Sequence, residues 1–180
     1  MTTSDNELES VYGLPFPKVL ALADRTRVVR YEPGLGLSAS YANGAYTIGL
    51  YVYDLNLKDI PDDPTENLVV SHLHQSIAEA INVAQTRGEV LQCTGAYGVP
   101  YAGISVDYLV AKLSRAGDEG RLSSVILLTT KLGYFIKLRI SFPEAAFSVE
   151  GLARTVGCDY FALLWPELKE QAHRIPVVGT

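Results

Sequence analysis

Tyrosine is the residue type whose number and placement in this sequence most suggest a chemical role. Eleven tyrosines stand beside five phenylalanines and one tryptophan, and Tyr97 and Tyr101 fall in the glycine- and proline-containing segment 97–103. Tyr53 and Asp54 open a second predicted loop. Exposed loop tyrosines suit partner binding, because they combine an apolar ring with a polar hydroxyl. These four residues are therefore candidate contact residues for a ligand or partner. The alternative is that the rings in 97–103 fold back over the sheet edge.

The pair His72 and His74 is the nearest approach in the sequence to a metal or catalytic site. Residues two apart on a helix point about 200° apart, and neither histidine has an acidic, histidine or cysteine neighbour three or four residues away. We therefore predict no metal site. The alternative function is a hydrolase-type enzyme with a pocket between the sheet and the helix over residues 64–87. In that pocket, His72 or His74 would work together with a carboxylate that the fold brings near.

The segment Gly34–Ala39 matches the G-x-G-x-x-A spacing of dinucleotide sites. That motif binds a pyrophosphate only where a strand enters the loop and a helix leaves it. Here a strand and a hairpin follow, so we interpret the glycines as a bulge or bend. The G-x-S-x-G and G-x-x-x-x-G-K-[ST] signatures do not occur. We therefore expect no cofactor and no catalysis.

The two cysteines, Cys93 and Cys158, are too few and too far apart to form a disulfide framework or a C-x-x-C site. Two interpretations stay open. The cysteines are either small buried hydrophobic residues or the two halves of a single bridge.

Composition excludes several classes of protein. The chain has 180 residues, a formal net charge of −5 and 48% hydrophobic residues. The length fits one domain, and the apolar fraction is too high for disorder. The negative charge argues against nucleic-acid binding, and no apolar run approaches the ~20 residues of a membrane span. We expect a flexible arm over residues 1–12, followed by a single domain over 13–180.

The first residues of the chain indicate the cellular compartment. Residues 1–10 lack the basic start and apolar middle of a signal peptide, so the chain as written is expected to be cytoplasmic. An exported, periplasmic protein whose signal peptide had been removed would look the same.

Alternating apolar and small residues predict strands. Asn43-Gly44 favours a hairpin turn between a strand that begins near Leu35 and a central strand over Ala45–Tyr53. In the last predicted strand, Lys137, Arg139 and Ser141 should face water. Four strands are predicted after the first helix: Glu89–Ala96, Ser105–Ser114, Arg121–Lys131 and Tyr134–Phe142.

Two long helices complete the pattern. Asp63 as N-cap, Pro64 at the first position and Gly88 beyond the last turn predict a helix over 64–87. A second helix is predicted over 148–164. The order is β-β-α-β-β-β-β-α, with a short helical turn near Val19–Leu22 before it. The predicted fold class is α+β, a mostly antiparallel sheet flanked by two long helices.

Several segments look like a group of uncharacterised bacterial proteins that share the series "GLG-S--Y", "YVYDLG" and "IP" before a long helix. The resemblance covers roughly residues 29–165, and Asn56 stands where that series has glycine. The order of elements resembles the PsbP-like fold, which is used by binding proteins such as photosystem assembly factors and a Ran-binding transport factor. The segments that match the bacterial group, as opposed to the PsbP-like fold, are Gly34–Tyr41, Leu50–Leu55, Ile60–Pro61, Leu127–Thr129 and Phe135–Arg139.

Together the residues and the resemblance predict a non-catalytic binding or accessory module. It would contact a protein or a small ligand through its tyrosine-rich loops. The predicted partners exclude nucleic acid and a membrane span.

Overall fold

The computed structural model describes residues 10–101, 105–116 and 122–166. Ten strands and two helices follow one another in this part of the chain. Their bounds are β1 Ser10–Val11, β2 Leu14–Pro15, β3 Val19–Leu20, β4 Ala23–Arg30, β5 Leu37–Ala42, β6 Thr47–Tyr53, α1 Asn67–Thr86, β7 Val90–Tyr101, β8 Ser105–Ala116, β9 Leu122–Lys131, β10 Tyr134–Pro143 and α2 Val149–Leu164.

Eight of the strands form one antiparallel sheet in the order β3-β4-β5-β6-β10-β9-β8-β7, and β1 pairs with β2 in a small separate sheet. The hairpin predicted at Asn43-Gly44 joins β5 to β6, and β6 lies in the middle of the sheet, as its apolar faces predicted. Among the described strands of this sheet, the only connection between non-neighbours is the one that carries α1 from β6 to β7.

The two helices cover opposite faces of the sheet. Alternate residues of β9 divide between two apolar clusters: Val125 and Leu127 pack with α2, while Ile126 and Leu128 pack with α1. Every residue of β9 from Ser123 to Thr130 is buried, because both of its faces are covered. The prediction of an α+β fold with a mostly antiparallel sheet between two helices is confirmed.

The first third of the chain holds more strand than the sequence pattern predicted. The helical turn expected near Val19–Leu22 is wrong, since β3 occupies its start and Ala21 and Leu22 turn with positive φ angles. The pattern also gave no separate strand for β4, whose charged sequence is largely exposed near the sheet edge. Of the predicted arm, residues 10–12 belong to or follow β1, and residues 1–9 lie outside the described residues.

Helix α1 begins three residues later than predicted, with Glu66 rather than Asp63 at its N-cap. The Asp63 carboxylate instead accepts hydrogen bonds from the backbone N–H and the hydroxyl of Thr65, 2.8 and 2.7 Å away. This local turn competes with helix capping for the same side chain.

Strand β7 continues through the segment predicted to be a tyrosine loop. It runs to Tyr101 along the edge of the sheet, where no described strand pairs with its outer side. A proline such as Pro100, which has no N–H to donate, is tolerated in an edge strand. Irregular register between Val99 and Pro100 accommodates that residue.

Cys93 and Cys158 are both free and exposed. Both interpretations of the cysteines, as buried residues or as one bridge, are therefore wrong. Neither α1 nor α2, the helices of the described part of the chain, is long and apolar enough to cross a membrane.

Candidate ligand-binding site

A cleft of about 320 Å³ opens at the end of the sheet where β6 ends and β10 begins. We call it the tyrosine cleft, since three tyrosine rings line it. Its lining residues are Tyr12, Tyr31, Glu32, Pro33, Gly34, Gly36, Asp54, Asn56 and Tyr134.

The glycines of the G-x-G segment shape the floor of the cleft. Gly34 and Gly36 have φ angles of +87° and +68°, which only glycine adopts readily. A Cβ atom on Gly36 would lie 1.9 Å from the carbonyl oxygen of Val52, and one on Gly34 would overlap the side chain of Asn56. The two glycines therefore let the β4–β5 connection pack directly against the end of β6.

Hydrogen bonds fix this connection to the loop after β6. The Leu55 N–H donates to the Gly34 carbonyl oxygen at 2.7 Å, and the Asn56 side-chain amide donates to the Pro33 carbonyl at 3.4 Å. Leu55 and Asn56 have φ angles of +55° and +58°. Asparagine tolerates this left-handed region better than most residues, which suits Asn56 to its position in this loop.

The tyrosine rings are held but remain accessible. Tyr12 stacks on Tyr134 with centroids 4.8 Å apart and planes 11° apart. The Tyr31 hydroxyl and the Ser38 hydroxyl are hydrogen-bonded at 3.1 Å. Tyr12 and Tyr31 are nevertheless 48% and 47% exposed, so part of each residue remains accessible to a ligand.

The cleft carries negative charge. Glu32 and Asp54 line it, and no lysine, arginine or histidine is among its described lining residues. Asp54 accepts a hydrogen bond from the Asn56 backbone N–H at 2.9 Å, which holds the carboxylate at the rim. Carboxylates beside aromatic faces attract a cation both by charge and through the ring quadrupoles. The arrangement can therefore hold an ammonium or guanidinium group.

Of the candidate residues whose side chains the structure describes, Asp54 alone lines the tyrosine cleft. Tyr53, the last residue of β6, points to the face of the sheet that α1 covers, where it is 7% exposed. Its hydroxyl lies 2.7 Å from His72 Nε2, and its ring packs beside Phe135. Burial raises the pKa of the Tyr53 hydroxyl.

Tyr97 lies far along the sheet on edge strand β7 and is 41% exposed. The Lys112 ammonium group lies 5.1 Å from the centre of its ring and also pairs with Glu150 of α2. Tyr101 ends the same strand, and its side chain lies outside the described residues. The structure thus does not bring Tyr53, Asp54 and Tyr97 into one site.

The two histidines are separated as their spacing predicted. His72 is buried against the sheet, and His74 is exposed on the other side of α1. The hydrogen-bond partner of His72 Nε2 is the Tyr53 phenol. Burial, with a smaller contribution from the positive charge of Lys137, lowers the pKa of His72. Among the described residues, no group of three or more histidine, cysteine or acidic side chains could hold a metal ion.

Residue patterns alone did not identify Tyr12, Tyr31 and Tyr134, because these three come from distant parts of the chain. Gly34 and Gly36 of the GLG segment and Asp54 of the YVYDL segment line the cleft. The signal that could have found the cleft is the presence of tyrosines close to these segments and at the start of the last strand.

No family model matches the chain, and no curated protein matches it in sequence. Among solved structures, the chain is similar to cyanobacterial PsbP from Synechocystis sp. PCC 6803, with a TM-score of 0.46 and 16% identity over 74% of this chain and 79% of that one. It is also similar to a protein of unknown function from Pseudomonas aeruginosa, with a TM-score of 0.31 and 8% identity over 87% and 85% of the two chains.

Proposed function

We propose that this protein is a non-catalytic binding module whose tyrosine cleft holds a cationic group of its ligand. The observation that carries the proposal is the joint presence of two carboxylates and three tyrosine rings in one cleft, with no lysine, arginine or histidine among its described lining residues. The ligand is a small molecule or a protein segment that presents an ammonium or guanidinium group.

Backbone strain around the cleft supports a binding role. Tyr12 and Leu55 have positive φ angles, a conformation that costs of order 1–3 kcal/mol for each such residue, while Asn56 adopts the same region more readily. Such strain persists where the surrounding structure fixes it, and it occurs preferentially at ligand sites. Fixed walls reduce the ordering cost of binding.

A matched pair of probes tests the charge preference. Choline carries a quaternary ammonium group, and 3,3-dimethylbutan-1-ol is its neutral isostere. A ligand at a hundred times its dissociation constant adds about 2.7 kcal/mol, which for a chain of this size raises the melting temperature by roughly 5–10 °C. We expect choline to raise the melting temperature and the neutral alcohol to leave it unchanged.

Two pairs of variants locate the effect. Asp54→Asn removes a cleft charge, while Asp62→Asn removes an exposed charge outside the lining of the cleft. Tyr31→Ala and Tyr97→Ala make the same comparison for the two exposed tyrosine surfaces. Loss of the choline response in Asp54→Asn and Tyr31→Ala, with the response retained in Asp62→Asn and Tyr97→Ala, supports the proposal. A response that survives in both, or is lost only in Tyr97→Ala, contradicts it.

A further inference from the structure

A second cleft, of about 270 Å³, lies between the C-terminal half of α1 and the sheet. We call it the arginine cleft, since three guanidinium groups line it. Its lining residues are Ala80, Val83, Ala84, Arg87, Glu89, Leu91, Arg115, Leu122, Ser124, Arg139 and Ser141. Lys137, Arg139 and Ser141, predicted to face water, are instead half-buried, because α1 covers this face of β10.

Sheet pairing brings the polar residues of the floor together. Arg115 lies beside Leu122, and Ser124 lies beside Ser141, two residues along from Arg139. The hydroxyls of Ser124 and Ser141 are 3.0 Å apart and hydrogen-bonded. Arginine side chains thus stand on both sides of a pair of hydroxyl groups.

The charges in this cleft do not balance. Arg115 pairs with Glu89 at 2.7 Å, which leaves Arg87 and Arg139. In the part of the chain that the structure describes, neither of these two has a carboxylate partner. The cleft therefore carries two excess positive charges in a chain whose net charge is −5. Arg139 is half-buried and Arg87 is exposed. A partly buried guanidinium group without a counter-ion is disfavoured, so the environment of Arg139 favours an anion.

The other wall of the cleft is apolar. Ala80, Val83 and Ala84 present a shallow helix surface to the cleft, and Leu91 and Leu122 face it from the sheet. The volume lies near the lower end of the roughly 300–1,000 Å³ typical of small-molecule pockets. A ligand that fills this space needs a charged end for the arginines and a short apolar body for the helix.

We propose that the arginine cleft binds a small organic acid, with its carboxylate held by Arg87, Arg115 and Arg139 and its apolar body against α1. The planar guanidinium group of arginine can donate two parallel hydrogen bonds to the two oxygens of a carboxylate. The hydroxyls of Ser124 and Ser141 can donate further hydrogen bonds. The site is separate from the tyrosine cleft, and this inference does not rest on the function proposed above.

Three probes test the two halves of the proposal by NMR titration of the whole chain. Hexanoate has both the charge and the apolar body, hexanamide lacks the charge, and acetate lacks the body. We expect hexanoate to shift the backbone amide signals of Leu122, Ser124 and Ser141 in a saturable way. We expect weaker binding of acetate and no saturable binding of hexanamide.

Matched arginine variants locate the bound carboxylate. Arg139→Gln should weaken hexanoate binding by about ten- to a hundred-fold, since hydrogen bonds to charged groups contribute about 1.5–3 kcal/mol. Arg154→Gln, which removes the same charge from the exposed surface of α2, should change the affinity less than about twofold. Arg87→Gln gives a second test at an exposed position, where the hydrogen bonds that end α1 come from the backbone N–H of residue 87.

Several outcomes would overturn the proposal. Absence of saturable hexanoate binding at tens of millimolar would do so, as would equal binding of hexanamide. Equal affinities of the Arg139→Gln, Arg87→Gln and Arg154→Gln variants would show that the carboxylate binds elsewhere. Acetate binding as tight as that of hexanoate would remove the apolar half of the proposal.

Discussion

Gly36 lies where the backbone of β6 leaves no room for a side chain. Its positive φ angle and the Val52 carbonyl oxygen, which would lie 1.9 Å from a Cβ atom, both act against substitution. We expect Gly36→Ala to lower the free energy of unfolding by about 3 kcal/mol or more. Gly44→Ala is the matched control, since Gly44 has a similar φ angle but open space around it and should lose only roughly 1–2 kcal/mol. Equal losses in urea unfolding would contradict the close approach.

The buried pair of Tyr53 and His72 makes a prediction about pH. The folded state lowers the pKa of His72, so protons bind the unfolded chain first as the pH falls. The stability that neutral His72 contributes is complete above about pH 6.5 and is lost as the pH falls from there towards its folded pKa.

The expected loss from this one group is at most about 1.4 kcal/mol per pH unit. It should be present in the wild type and in His74→Asn, whose histidine is exposed, and absent in His72→Asn. Urea unfolding at about pH 7.5 and about pH 5.5, on either side of the ordinary histidine pKa, measures the difference. If all three proteins lose the same stability, His72 does not titrate as a buried group.

Asp54 could be predicted as a candidate residue, but the geometry of the cleft that it lines required the fold. The sequence indicates Asp54 because it follows a recognisable strand end. Tyr53 was predicted beside it as the first residue of the loop over residues 53–61. In the structure Tyr53 is still part of β6 and packs beneath α1, whereas Asp54 follows the strand and lines the cleft.

At the scale of the elements, the two helices begin in physically different ways. The Ser148 hydroxyl caps α2 by accepting the Gly151 N–H at 3.2 Å, whereas Glu66 at the start of α1 makes no side-chain cap bond. We expect Ser148→Ala to lower the free energy of unfolding by about 1 kcal/mol. Glu66→Ala should leave it nearly unchanged. The same urea measurement checks both, and a larger loss in Glu66→Ala would contradict the assignment of the caps.

Elements with strong periodic patterns were the ones that the sequence predicted well. Strand β10 and helix α2 were placed within a residue or two, because one alternates strictly and the other repeats at helical spacing. Strand β4 has no such alternation, since it is a largely exposed strand whose pairing is set by tertiary contacts with β5. The edge strand β7 was cut short for a related reason. Its glycines and proline resemble a loop, and only the edge position permits them in a strand.

At the scale of the whole molecule, strand β10 joins two clefts of opposite charge. Tyr134 at its start lines the tyrosine cleft, and Ser141 near its end lines the arginine cleft. The strand between them spans about 23 Å, at roughly 3.3 Å per residue. The first cleft carries two carboxylates, and the second has two excess guanidinium groups. No local motif predicted either cleft, because each collects residues from distant parts of the chain.

The tyrosine cleft is proposed to hold a cationic group, and an NMR titration of the whole chain with choline tests this central claim most directly. We predict saturable shifts of the Tyr12, Gly34 and Asn56 amide signals, with the Ser124 and Ser141 signals unmoved. These shifts should vanish in Asp54→Asn and persist in Asp62→Asn. Saturable shifts confined to another surface, or no shift at tens of millimolar choline, would contradict the claim.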